Sequence, residues 1–116
     1  MVIAAAALGD VRSNIPLRPE WAVGPDLRST GHTMIDFGDD ALTQGRAHPM
    51  IDQRTRLDRI AAEAERAAAS DSSGVVLLLD VVLGHGAHSD PASELGPAVA
   101  DAIGRAGGRL VVLVSL

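Results

Sequence analysis

The segment 74–91, GVVLLLDVVLGHGAHSDP, constrains the fold more than any other part of the chain. It opens as an apolar run, residues 75–83, in which Asp80 is the single polar residue. A short, β-branched, continuously apolar segment reads as a strand covered on both faces, as in parallel sheets. The run stops at residues 84–91, GHGAHSDP, which are polar and glycine-rich. They therefore sit where the strand's carboxyl end meets solvent, the place where open α/β sheets bind ligands.

The flanking segments read as support for that strand. Residues 33–37, TMIDF, are β-favourable and end at Gly38, and a polar loop with Gly45 and Pro49 follows. Asp52 is placed to cap the next helix. Within residues 51–69, Leu57, Ile60, Ala61, Ala64 and Ala68 recur at helical spacing. On the other face, Asp52/Arg56, Arg54/Asp58 and Arg59/Glu63 stand at i,i+4, each pair contributing about 0.2–0.5 kcal/mol. Residues 70–74, SDSSG, end the helix and turn the chain into the strand. Beyond the loop, Leu95, Val99, Ala102, Ile103 and Ala106 mark a second helical stripe that stops at Gly107 and Gly108. Pro97 argues against a helix capped by Asp90, because an interior proline removes a hydrogen bond and clashes. A start near Glu94 puts Pro97 in the first turn. Residues 109–116, RLVVLVSL, form a third apolar strand.

This βαβαβ order predicts an α/β fold. Its parallel sheet places residues 33–37 beside 75–82 beside 110–114, with the 51–69 helix on one face. Residues 1–8 are small and apolar, and suit a short strand or the end of a helix equally. Residues 9–30, with three prolines, read as irregular chain anchored by Trp21. The expected organisation is an irregular segment over 1–30 and an α/β domain over 31–116.

Composition narrows the function. Arginine supplies all the basic charge of a chain with net charge −5, and Trp21 and Phe37 are its aromatic residues. Neither a basic stripe nor stacking platforms for nucleic acid are present. Without cysteine there is no disulfide, thiolate metal site or cysteine nucleophile, which fits a cytoplasmic setting. No apolar run approaches a membrane span, and no basic region precedes the apolar N-terminal residues. The phosphate loop, the dinucleotide fingerprint and the G-x-S-x-G elbow are all missing.

Two loops concentrate the chemistry. In the first, Gly84 and Gly86 let the backbone approach an anionic or acyl ligand. His88 can donate a proton or a hydrogen bond there, and Asp90 stands two residues on. The structural alternative is an ordinary turn, with Asp90 as a local cap. Metal binding by His85, His88 and Asp90 is the weaker reading, since His-x-x-His on a loop does not fix both rings on one face. Asp80, inside the apolar run, must be paired or neutralised if buried; it either serves structure alone or orients a loop group such as His88. The second loop carries Asp39, Asp40, Gly45, Arg46 and His48. Its Arg46 offers a planar fork to a carboxylate or phosphate, against the alternative of a solvated loop.

Four stretches carry a family likeness: SNIPL (13–17), GHTMIDFGDD (31–40), GRAHPMID (45–52) and LLLDVVLGHGAHSDPA (77–92). Together they resemble the FdrA family, which is similar to the alpha subunit of succinyl-CoA synthetase. The resemblance runs from about Ser13 onward. It implies a flavodoxin-like CoA-ligase domain of acyl-CoA-synthetase ancestry, within a carbamoyl-transferring enzyme that acts on oxamate in purine and allantoin breakdown. By matching position it carries over Asp39, Asp40, Gly45, Arg46, His48, Gly84, Gly86, His88 and Asp90. At position 85 the family pattern has Tyr where this chain has His85. The resemblance further implies that the N-terminal CoA-binding domain, the closing strands and helices, and the phosphorylated histidine of the synthetases lie outside these residues. The chain is thus expected to be a fragment, inactive and binding no cofactor by itself. CoA and nucleotide belong to the full-length protein. Its expected partners are the remainder of the ligase and other subunits of an oligomer. A non-catalytic flavodoxin-like assembly module is the alternative.

Overall fold

A computed structural model of the chain describes residues 1–69 and 74–116, so the turn expected at 70–73 lies outside the described residues. The chain divides into two compact units, Met1–Gly45 and Arg46–Leu116.

The first unit contains helix α1 (Val2–Leu8), strand β1 (Val11–Ser13), a 3-10 turn at Pro19–Trp21, strand β2 (His32–Met34) and the single-turn helix α2 (Asp40–Thr43). Alanine-rich residues 2–8 adopt the helix that alanine favours. β1 and β2 pair in parallel, with Val11 opposite His32 and Ser13 opposite Met34. Val11 and Ser13 are the buried residues of this unit. Asn14 ties the strands' ends: its Nδ2 donates to the Asp36 carbonyl at 2.8 Å, and its Oδ1 accepts the Asp36 N–H at 3.0 Å. Trp21 is half-buried under the Arg18 guanidinium, 4.9 Å from the ring centre. Residues 9–30 are therefore not wholly irregular. This arrangement also corrects the three-stranded sheet: β2 takes its ladder partner from β1, and the Asn14 clasp holds it there.

The second unit contains helix α3 (Arg54–Ala69), strand β3 (Val75–Asp80), helix α4 (Pro91–Arg105) and strand β4 (Leu110–Ser115). β3 and β4 pair in parallel from Val75↔Leu110 to Asp80↔Ser115. Bonds from Val75 N–H to the Arg109 carbonyl (2.8 Å) and from Val81 N–H to the Ser115 carbonyl (2.9 Å) extend the ladder at both ends. Ile60, Ala64 and Ala67 of α3, Leu95 and Ala102 of α4, Ala106 and Leu110 form one core. Leu57, Val75, Leu77, Leu79, Val81, Val99 and Val112 pack against it. The alanines keep this core thin and admit close helix packing, so the expected stripes hold except at Ala68 and Ile103, which face solvent. α/β class and parallel pairing are as expected.

Three expectations are corrected in this unit. First, β3 is covered on one face only. Val75, Leu77 and Leu79 join the core, while Val76 is 64% and Leu78 70% exposed beside the exposed Val111 and Leu113 of β4. Second, α4 starts at Pro91. Asp90 caps it, with its Oδ1 accepting the Ser93 N–H at 3.1 Å. Proline at the first helical position is pre-shaped for a helix, and these two features offset the interior Pro97. Third, of the three expected i,i+4 pairs, Arg59–Glu63 forms (2.8 Å), with Arg66 adding a second cation at 2.9 Å to the buried Glu63. Asp52 and Arg56 take other partners. Among the described residues, no helix is long and apolar enough to cross a membrane.

Candidate functional site

β3 delivers the chain to the glycine-rich loop, and Arg56 of α3 fixes the point of exit. Its Nη1 donates to the Asp80 carbonyl at 2.6 Å and its Nη2 to Asp80 Oδ1 at 3.0 Å. The Arg56 side chain is mostly buried, whereas that of Asp80 is 78% exposed. Asp80 is thus not the buried carboxylate expected from its apolar run. Alternation puts it with Val76 and Leu78 on the open face of the strand. Its partner is Arg56, and it makes no hydrogen bond to His88 among the described residues.

Gly84 (φ +137°) and Gly86 (φ +84°) take conformations that only glycine adopts freely. The Ala87 N–H closes the turn on the Gly84 carbonyl at 3.1 Å. His85 stands exposed at the tip. His88 is half-buried and held at three points. Its N–H donates to the Met50 carbonyl at 2.6 Å, its Nδ1 accepts the Asp90 N–H at 3.1 Å, and its Nε2 lies 3.5 Å from Glu94 Oε1. An accepting Nδ1 assigns the proton of the neutral ring to Nε2. Asp90 therefore plays two parts: its amide sets the His88 tautomer, and its carboxylate caps α4.

Met50 belongs to the second loop, so the two loops meet. There His48 Nδ1 accepts the Met50 N–H at 3.2 Å, and the His48 carbonyl accepts the N–H groups of Ile51 (2.8 Å) and Asp52 (3.0 Å). The Asp52 carboxylate accepts the Arg54 N–H at 3.0 Å and pairs with the Arg54 guanidinium at 2.9 Å. These Arg54 bonds, with a smaller pull from Arg46, lower the Asp52 carboxyl from 3.8 to about 2. Arg54 is pushed the other way by the same bond. Arg46, Ala47, Asp52, Arg54, Thr55 and Asp58 line a polar hollow of about 390 Å³. Arg46 is exposed there and makes no ion pair among the described residues. The two carboxylates balance the two guanidinium groups, so the hollow has no net positive charge.

The remaining candidates lie in the first unit. The Asp39 carbonyl accepts the N–H groups of Leu42 (2.9 Å) and Thr43 (3.1 Å), while its carboxylate makes no cap bond. Asp40 opens α2, and Gly45 (φ +73°) follows it. Within the second unit the structure joins His48, Met50, His88, Asp90 and Glu94. Sequence reasoning missed Glu94, although an acidic residue in a first helical turn is a recognisable signal. It missed Met50 too, where the contacts are made by backbone. No group of three or more His, Cys, Asp or Glu side chains among the described residues is arranged to hold a metal ion.

With this geometry in hand, comparison with known proteins gives three findings. A family model described as CoA-ligase matches residues 2–116. The uncharacterized protein YahF of Escherichia coli K12 is 40% identical over 109 residues, which cover 92% of this chain and 20% of YahF. The chain thus spans one fifth of the length of this curated relative. No solved structure matches the chain significantly.

Proposed function

The chain belongs to the CoA-ligase family, and from that membership we propose that it is part of an FdrA-like, acyl-CoA-synthetase-type subunit of a carbamoyl-transferring enzyme that acts on oxamate. The observation that carries this reading is the bond between the Met50 carbonyl and the His88 N–H. It brings together GRAHPMID and GHGAHSDP, which lie in two of the four stretches that carry the FdrA resemblance. In this reading His88 is the proton or hydrogen-bond donor through Nε2, and Glu94 faces that nitrogen. Asp90 holds the tautomer, Gly84 and Gly86 open the backbone to the ligand, and Asp80 fixes the loop's root through Arg56. Arg46 offers its fork to the ligand's carboxylate or phosphate. His48 is the remaining ligand-binding residue of the second unit, Asp39, Asp40 and Gly45 are those of the first, and CoA and nucleotide are bound with the rest of the subunit.

The test uses full-length YahF and a chimera in which this chain replaces the matching fifth. Both are assayed for carbamoyl transfer with oxamate and for nucleotide-dependent acyl-CoA formation. Carbamoyl transfer in both proteins is the expected result. In the chimera, His88→Ala should lower it at least about a hundredfold, the lower end for acid–base catalysis, with an unchanged melting temperature. Acyl-CoA formation alone would overturn the carbamoyl assignment. Absence of both activities in both proteins would overturn the enzyme reading. A rate that survives His88→Ala would remove His88 from the site.

A further inference from the structure

The two histidines that flank the joint between the loops share one geometry. His48 Nδ1 accepts the N–H of the residue two positions on, Met50, at 3.2 Å. His88 Nδ1 does the same with Asp90, at 3.1 Å. The loops are then bonded through Met50 itself, whose carbonyl accepts the His88 N–H. The path thus runs from the His48 ring through Met50 to the His88 backbone, and each ring accepts a local bond beside the joint.

An imidazole nitrogen accepts a hydrogen bond only while it carries no proton. We propose that His48 and His88 form an acid-sensitive latch that joins the two loops when both rings are neutral and releases them when the rings are protonated.

A proton added at Nδ1 would point at an N–H group, donor against donor, so the ring has to turn away and leave the amide unpaired. For His88 the charged ring keeps an attractive partner in Glu94 of α4, 3.5 Å from Nε2. The Asp90 carboxylate is engaged by the Ser93 N–H, and the loop opposite contacts His88 through the Met50 carbonyl. The cation is thus drawn toward α4 and away from its bond with Asp90. For His48 no charged side chain lies at ion-pair distance among the described residues, although Arg46 and Asp52 flank it in the chain. Protonation there frees the Met50 N–H and loosens the backbone at Met50, whose carbonyl, on the next peptide, accepts the His88 N–H. The bonds are present at high pH and lost as pH falls. This latch does not depend on which ligand the loops bind.

Nuclear magnetic resonance of the chain tests it from about pH 8 to pH 5, the range in which imidazoles titrate. At the alkaline end, ring nitrogen shifts should show the proton on Nε2 in both His48 and His88. The amide signals of Met50, Asp90 and His88 should then move as the two rings titrate. An asparagine side-chain oxygen can accept the same i+2 bond without titrating, so in the His48→Asn/His88→Asn variant these amides should stay in place across the range. His85→Gln, at the exposed tip, should leave the wild-type response intact. A proton on Nδ1 in either ring at pH 8 would overturn the latch. So would Met50 and Asp90 amides that ignore the ring titrations in the wild-type chain, a measurement that needs no variant to fold.

Discussion

Gly74 has the least room for change of any described glycine. Its φ is +113°, and a Cβ placed on it would lie 2.8 Å from the Arg109 carbonyl oxygen. That oxygen is also the acceptor for the Val75 N–H, so the ladder cannot shift to make room without losing a rung. Gly74→Ala should destabilise the chain by about 1–3 kcal/mol, read as a lower urea midpoint. Asp52 should report on pH. Its carboxyl is held down at about 2 by Arg54, so the stability it contributes is complete above its ordinary 3.8 and disappears as pH falls toward 2. Asp52→Asn should lower the melting temperature slightly at neutral pH and flatten its fall between about pH 4 and 2. The effect is small because Arg54 is 83% exposed. At this scale the sequence shows His88 and Asp90, whose side chains advertise chemistry. It hides Met50, since a backbone carbonyl leaves no mark on residue type. It also misleads at Asp80, where an apolar neighbourhood in the chain is not an apolar neighbourhood in space.

Among the elements, α4 shows local preferences in competition. Its interior Pro97 lacks the N–H that would bond the Ser93 carbonyl, and yet the helix runs through it from Pro91 to Arg105. Pro97 is exposed, so alanine there sacrifices little packing. Pro97→Ala should raise stability by about 1–3 kcal/mol, and Asp90→Ala should lower it by about 1 kcal/mol through loss of the cap. Both are read from urea unfolding monitored by circular dichroism. The two long helices were legible because stripes at 3.6-residue spacing extend over four turns. The start of α4 was not, because proline's cost was weighed without the cap and the proline that offset it. β1 was illegible for another reason. Three residues beside a proline-rich stretch carry no usable alternation, and their strand is defined by pairing with residues 21 positions away.

At the scale of the whole molecule, the open face of the β3–β4 sheet is the feature expected to govern association in solution. Val76, Leu78, Val111 and Leu113 are each more than half exposed on paired strands. Contiguous apolar surface of this kind promotes association. Sedimentation velocity should show mass rising with concentration, and Leu78→Thr with Leu113→Thr should suppress that rise while leaving helix content unchanged. Each residue was legible as apolar. What could not be read was that α3 and α4 pack on the same side, since a continuous apolar run fits a sheet covered once or twice.

The β3–β4 ladder also dictates how this unit must assemble in time. Val75 meets Leu110 and Asp80 meets Ser115, the same offset of 35 positions at both ends. A hairpin zips outward from its turn, each rung bringing the next within reach. Here no rung is near in sequence, and the first contact must close the entire crossover before any bond repays the lost chain entropy. α4 eases that closure, because 15 residues coiled as a helix span far less than the same residues extended. A helix capped early by Asp90 and Pro91 is therefore a kinetic aid as well as a structural one. Removing the cap should slow refolding more than it speeds unfolding, which stopped-flow refolding of Asp90→Ala would record.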